Sequence, residues 1–161
     1  EYRALSQTEL GHDELVYIVH PSHPWAIKDK VDRKTLADQQ LIMPSVQSHT
    51  YNLIDAFYRQ MRIPLDPFIE LNNEDAIKQL VSLNIGTGIV PRWIAEEEIE
   101  AGILRAFPFS NRSLLRRWTV SYRASAALSF PEFLFVGTTR GVARNLIKTE
   151  QHSDKPDSRR S

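Results

Sequence analysis

The chain contains no cysteine. That excludes a disulfide framework, a thiolate nucleophile and any metal site built on sulfur, and it suits a reducing cytoplasm. Nor is there an excess of charge of either sign, since twenty Lys and Arg balance twenty Asp and Glu. No overall field therefore recruits nucleic acid, and basic residues gather no further than short pairs such as Arg116-Arg117 and Arg159-Arg160. If the parent protein binds DNA, this part of it is not what touches the DNA. No apolar run approaches the roughly 18 to 20 residues that span a bilayer. The opening EYRALSQTEL lacks the basic, apolar and small-residue order of a secretion signal, so a cytoplasmic location and no membrane partner are expected. The first residue is not methionine, from which a piece of a longer protein is expected.

What is present is a chain of 161 residues with 42% hydrophobic content, the size of one ordinary domain. Residues 15–19 (LVYIV) form a β-rich run that stops at His20-Pro21-Ser22-His23-Pro24, where two prolines remove amide donors and are expected to forbid regular structure. Residues 31–38 have helical spacing, with Asp32 near the start. Residues 40–43 read as a strand stopped by Pro44. After a polar turn at 45–50, Leu53, Ile54, Ala56, Phe57 and Met61 recur at helical intervals up to Ile63-Pro64.

Residues 66–93 (DPFIELNNEDAIKQLVSLNIGTGIVPRW) carry the most informative order: extended segment, polar cap, amphipathic helix, glycine turn, second extended segment, proline. This is one parallel strand-helix-strand unit, with Ala76, Ile77, Leu80, Val81, Leu83 and Ile85 along one stripe. Asn72, Asn73, Glu74 and Asp75 lie at the helix start. Free N–H groups and the helix dipole there favour an anion by roughly 0.3 to 1 kcal/mol. A plain N-cap by Asn72 or Asn73, worth about 1 kcal/mol, accounts for the same residues equally well.

Beyond this unit, Pro91 is placed in the first turn of a short acidic helix over 92–100, closed by Gly102 as a C-terminal cap. A strand over 103–107 ends at Pro108. A loop is expected over 109–115, then a half-buried strand over 117–123 with Trp118, Val120 and Tyr122 on one face. Ser129 is expected to cap a helix running to about Ile147, and residues 148–161, polar and aperiodic, are expected to be disordered.

The HPSHPWA crossover at residues 20–26, the NNEDAIKQLV helix leading into GTGIVP, the Gly102-Ile103-Leu104 strand entry and RRWTVSYR before a Ser-Phe-Pro helix stand in an order that resembles the effector-binding domain of LysR-type transcriptional regulators. The resemblance covers roughly residues 10–147. It implies an α/β, periplasmic-binding-protein-like two-lobe fold with the second lobe complete and the first partial. Residues 1–21 are then a first-lobe remnant and first crossing strand, 22–117 the second lobe, and 118–147 the return crossing and terminal first-lobe helix. It also implies a small-molecule effector in the cleft and no cofactor. DNA would be held only through a winged helix-turn-helix outside this sequence, and the intact parent would be a homo-oligomer, usually a tetramer. With the first lobe partial, Phe130, Phe133, Leu134 and Phe135 are expected to be uncovered and the chain to be prone to association.

Carried over by motif, the effector contacts implied are His20, Ser48, His49, Thr50, Asn72 and Asn73, with Thr87 in the glycine turn as a further candidate. Oriented hydrogen bonds from such a set, each about 0.5 to 1.5 kcal/mol net, can hold a small polar or anionic metabolite. Each residue also has a structural reading: a turn histidine for His20, an N-cap for Ser48 or Thr50, and a tight helix-to-strand turn for Gly86 and Gly88. Catalysis has little behind it. Pro21 and Pro24 prevent a helical zinc pair at His20 and His23, and Ser22 lies in no nucleophile elbow. The alternatives to an effector domain are a transporter's solute-binding protein with the same fold and, less favoured, a small enzyme.

Overall fold

The computed structural model describes residues 5–109, 113–123 and 128–146, with backbone only for 144–146; the expected disorder of 148–161 lies outside the described residues. The order is β1 (Leu5–Val19), α1 (Pro24–Lys28), a 3-10 turn (Arg33–Asp38), β2 (Leu41–Met43), α2 (His49–Gln60), β3 (Pro67–Glu70), α3 (Glu74–Ser82) and β4 (Thr87–Pro91). A second 3-10 turn (Arg92–Ala95), α4 (Glu96–Glu100), β5 (Arg105–Pro108), β6 (Leu114–Arg123) and α5 (Phe130–Leu146) follow. The chain divides into two compact units, Asp13–Arg117 and the described parts of Glu1–His12 with Trp118–Ser161.

The sheet runs β3-β2-β4-β1-β5, and β6 also pairs with β1. Strand β2 is parallel to both β3 and β4, so the strand-helix-strand unit read from the sequence is parallel, with β2 inserted between its two strands. Strand β1 runs antiparallel to β4 and β5. Its residues 15–19 are buried on both faces, as an unbroken apolar run requires. Leu15, Tyr17 and Val19 point into one core with Trp25, Met43, Ile54 and Tyr58. Val16 and Ile18 point into the other with Ile42, Ile77, Val81 and Val90. Residues 16–19, which the two-lobe reading puts in the first crossing, are thus the centre of the larger unit's sheet.

Several elements differ from the sequence reading. Pro24 does not forbid structure but opens α1 at its first position, where no amide is needed, and the His23 ring caps it by accepting from Trp25 N–H at 3.2 Å. The segment read as helical over 31–38 is a 3-10 turn, capped by Asp32 Oδ1 accepting from Lys34 N–H at 3.0 Å. Pro91 ends β4 instead of entering a helix, and 92–100 splits into a 3-10 turn and α4. Strand β6 begins at Leu114, inside the expected loop. Leu83 and Ile85 lie beyond the end of α3 and are exposed, so the buried stripe of that helix is Ile77 and Val81.

Gly86 and Gly88 turn out to be steric requirements. A Cβ on Gly88 would lie 2.7 Å from Ile18 Cγ1 and 2.8 Å from Val81 Cγ2, and one on Gly86 would lie 2.4 Å from the Gln40 carbonyl. The left-handed residue of that connection is Asn84, at φ 58°. Gly102, at φ +72°, follows α4 as expected of a helix-ending glycine.

Candidate functional site

Because β2, β3 and β4 are parallel, their carboxyl ends lie along one edge of the sheet, and two of them lead directly into helix starts. From β2 the chain turns through 45–48 into α2, with Ser48 Oγ accepting from Tyr51 N–H at 3.0 Å. From β3 it passes Asn72 to Asn73, whose Oδ1 accepts from Ala76 N–H at 3.1 Å to cap α3. The two connections are tied together. Leu71 N–H donates to the Met43 carbonyl at 3.0 Å, and Val46 N–H donates to Glu70 Oε2 at 2.9 Å. Two helix amino ends, with their unpaired N–H groups and positive dipole ends, thereby open onto the same edge. Asn73 is the cap; Asn72 and His49 are exposed beside it.

Strand β1 brings a charged group to this edge. Leu15 is level with Pro91 at the end of β4, and Asp13 lies two residues earlier on the same side as Leu15, Tyr17 and Val19. Its carboxylate is buried and forms a bidentate ion pair with Arg116 of β6: Nε–H donates to Oδ1 at 3.0 Å and Nη2–H to Oδ2 at 2.6 Å. Trp93 Nε1–H also donates to Oδ2, at 3.2 Å. The remaining arm of the guanidinium, Nη1, donates to Thr50 Oγ1 at 2.9 Å. Thr50 is the second residue of α2, so the turn that opens α2 is held by a partly buried cation whose charge Asp13 balances. The hydroxyl hydrogen of Thr50 is not used in that bond. Backbone N–H groups, hydroxyls and side-chain amides lie along this edge, and donors of these types can hold a small anion or polar oxygen.

The model of one family, the LysR substrate binding domain, matches residues 1–143 of this chain. The chain belongs to that family. The LysR domain is similar to the HTH-type transcriptional regulator YfiE of Escherichia coli, 29% identical over 126 residues that make up 78% of this chain and 42% of that protein. Among solved structures it is similar to the Synechocystis PCC6803 CcmR regulatory domain in complex with 2-PG, at 23% identity and a TM-score of 0.75, covering 90% of this chain and 70% of that one. It is also similar to the effector binding domain of QuiR in complex with shikimate, at 20% identity and a TM-score of 0.72, covering 89% and 67%. At these identities the likeness establishes the fold, a mixed α/β domain of the LysR effector-binding type. The chain spans about two fifths of the length of the curated relatives it matches.

The residues singled out from the sequence separate into two groups in this LysR domain. Ser48, His49, Thr50, Asn72 and Asn73 share the edge just described. His20 and Thr87 do not: β1 is antiparallel to β4 with Ile18 level with Gly88, so both lie at the opposite edge. There His20 Nδ1 accepts from Ser22 N–H at 3.1 Å, with Ser22 Oγ at 2.7 Å, the local pairing of a turn histidine. Thr87 is buried and donates from Oγ1 to Gln39 Oε1 at 3.0 Å. The same Oε1 accepts from His23 Nε2–H at 3.1 Å. Burial holds the His23 imidazole below the ordinary histidine range, with the Gln39 hydrogen bond opposing. Asp13, Arg116 and Trp93 were not reached by sequence reasoning. One signal was available: Asp13 is in phase with the inward residues of β1, and a carboxylate on a core-facing position requires a partner. Among the described residues, no group of three or more His, Asp or Glu side chains is placed to hold a metal ion, and no helix is long and apolar enough to cross a membrane.

Proposed function

We propose that this chain is the effector-binding part of a LysR-type transcriptional regulator. In this reading a small polar or anionic metabolite sits at the strand-end edge, contacted by Ser48, His49, Thr50, Asn72 and Asn73, and controls transcription through a DNA-binding module outside this sequence. The observation that carries it is the convergence of the α2 and α3 amino ends at β2 and β3 in a domain of LysR type. Relatives of similar fold were solved with 2-PG and with shikimate, which supports a small-molecule effector here. Curated relatives that the chain matches bear the names of transcriptional regulators, which favours this reading over a transporter's solute-binding protein or an enzyme. His20 and Thr87 enter only as contacts at the opposite edge, where each already has a local partner.

Residues 22–117 are taken as the second lobe, and 1–21 with 118–147 as the two connections and part of the first. The compact unit Asp13–Arg117 supports that partition with its border moved to residue 13. The whole protein is read as a cytoplasmic homo-oligomer, in which the effector acts by binding one arrangement of the lobes better than another. Calorimetry on the full-length regulator, with a panel beginning with 2-PG and shikimate, tests the site. Asn72→Ala is expected to weaken effector binding by about tenfold, the loss of one good hydrogen bond, with DNA binding in the absence of effector unchanged. Unchanged effector affinity would remove Asn72 from the site.

A further inference from the structure

Asp13 and Arg116 form a buried ion pair, with side chains 1% and 12% exposed. Removing two charges from water costs several kcal/mol per ion, and apolar side chains of similar volume are often at least as stable in such a place. Stability alone therefore does not account for the pair. Its position does. Asp13 is the first residue of the larger unit and Arg116 its last but one, so the pair joins the two strands where each leaves that unit. Strands β1 and β6 pair with each other, and the guanidinium spans both. The third arm of the same planar group ends on Thr50, in the first turn of α2.

We propose that Arg116 is a positioning residue that couples the turn opening α2 to the two strands leading out of the larger unit. The guanidinium is rigid, and its bidentate grip on Asp13 fixes the direction of Nη1. Thr50 cannot shift relative to β1 without breaking that grip or the bond to its hydroxyl. An occupant that takes the hydroxyl hydrogen of Thr50, or draws the α2 turn toward itself, therefore pulls on Asp13 and on the entry of both strands. The regulatory meaning of this coupling rests on the effector reading above, but the coupling itself is a property of the folded chain and is tested without effector.

The test is amide hydrogen exchange on the full-length protein with Thr50→Val, which keeps the shape and removes the hydroxyl, beside Thr50→Ser, which restores it. Thr50→Val is expected to speed exchange in β1 and β6 near residues 13 and 116 by about tenfold, the effect of losing one charge-assisted hydrogen bond, with α3 and β4 unchanged and Thr50→Ser close to wild type. No change near 13 and 116, an equal rise throughout the unit, or no restoration by serine overturns the proposal. In the background of Asp13→Leu with Arg116→Met, which removes both charges together, Thr50→Val is expected to add nothing further near the strands. A persistent effect there would mean that the route does not pass through Arg116. Should that double variant fail to fold, the valine and serine pair alone decides. Unchanged exchange near 13 and 116 in Thr50→Val would sink this proposal and leave the effector reading standing; failure of the effector reading is read separately, from Asn72→Ala.

Discussion

His23 shows how much one side chain can carry at a single position. Its Nδ1 accepts from Trp25 N–H and caps α1, while Nε2–H donates to Gln39, so the ring is held neutral in one tautomer. Protonation would turn the capping nitrogen into a donor facing a donor. Burial lowers its folded-state pKa, so the unfolded chain binds the proton more readily. The stability that His23 contributes is accordingly complete above about pH 6.5, the unfolded value, and is lost as pH falls from there through the depressed folded value. Melting temperatures measured down a pH series should fall below that point, and His23→Asn, which keeps a capping oxygen and does not titrate, should flatten that part of the profile. A parallel decline in both proteins would assign the acid sensitivity elsewhere. The buried hydroxyl pair of Tyr17 and Tyr58, 3.0 Å apart, is a contrasting case: burial pushes the Tyr58 phenol up to about 12, so the pair stays neutral throughout the physiological range.

At the scale of elements, two glycines make opposite demands. Gly88 lies where α3 packs across β4 onto β1, and an added methyl would meet Ile18 and Val81 well inside contact distance. Gly88→Ala should cost about 1 to 3 kcal/mol by overpacking, visible in urea melts. Gly102 has open space around its Cα but a left-handed backbone, so Gly102→Ala should cost about 1 kcal/mol by strain alone, and Gly102→Asn less, since asparagine tolerates that region. If alanine at 88 proves neutral, α3 is free to move off the sheet and the tight packing assigned here is wrong. The elements that could be read from the sequence are those with a period: α2 and α3 by their apolar stripes, β2, β3 and β4 by short apolar runs bounded by proline, glycine or polar turns. Helix α1 has only five residues and begins at a proline, too short to show a period. The first part of β1 alternates between exposed and half-buried positions with few apolar residues, so only its fully buried end stood out. Ser48 and Asn73 could be recognised by type as caps, but Asp13 and Arg116 could not be paired. They are 103 residues apart, and only the adjacency of β1 and β6 brings them together.

For the whole molecule, α5 is the element with least support. Phe130, Phe133, Leu134, Phe135 and Val142 are all about half exposed or more, while Ala143 is buried. Ser129 precedes the first residue of α5, as expected of a cap, and the first turn is tied locally, with Ser129 N–H and Oγ–H both donating to Glu132 Oε2 at 2.7 Å, the reciprocal half of a capping box. An apolar face of this kind on an isolated chain favours association. Static light scattering on this 161-residue chain should report mass rising with concentration, and Phe133→Ser with Phe135→Ser should reduce it. A monodisperse monomer at high concentration would show that the helix finds cover within the chain.

By itself the sequence determined the α/β class, the parallel strand-helix-strand unit and the family, because periodicity and the order of motifs are local properties that survive without coordinates. It also supplied the residue types suited to an anion at two helix starts. Only the tertiary structure decided which of those residues share an edge, because strand direction sends Ser48 and Asn73 to one end of the sheet and His20 and Thr87 to the other. Only the structure disclosed the Asp13–Arg116–Thr50 connection, since a contact between distant strands is set by sheet pairing and leaves no periodic trace along the chain.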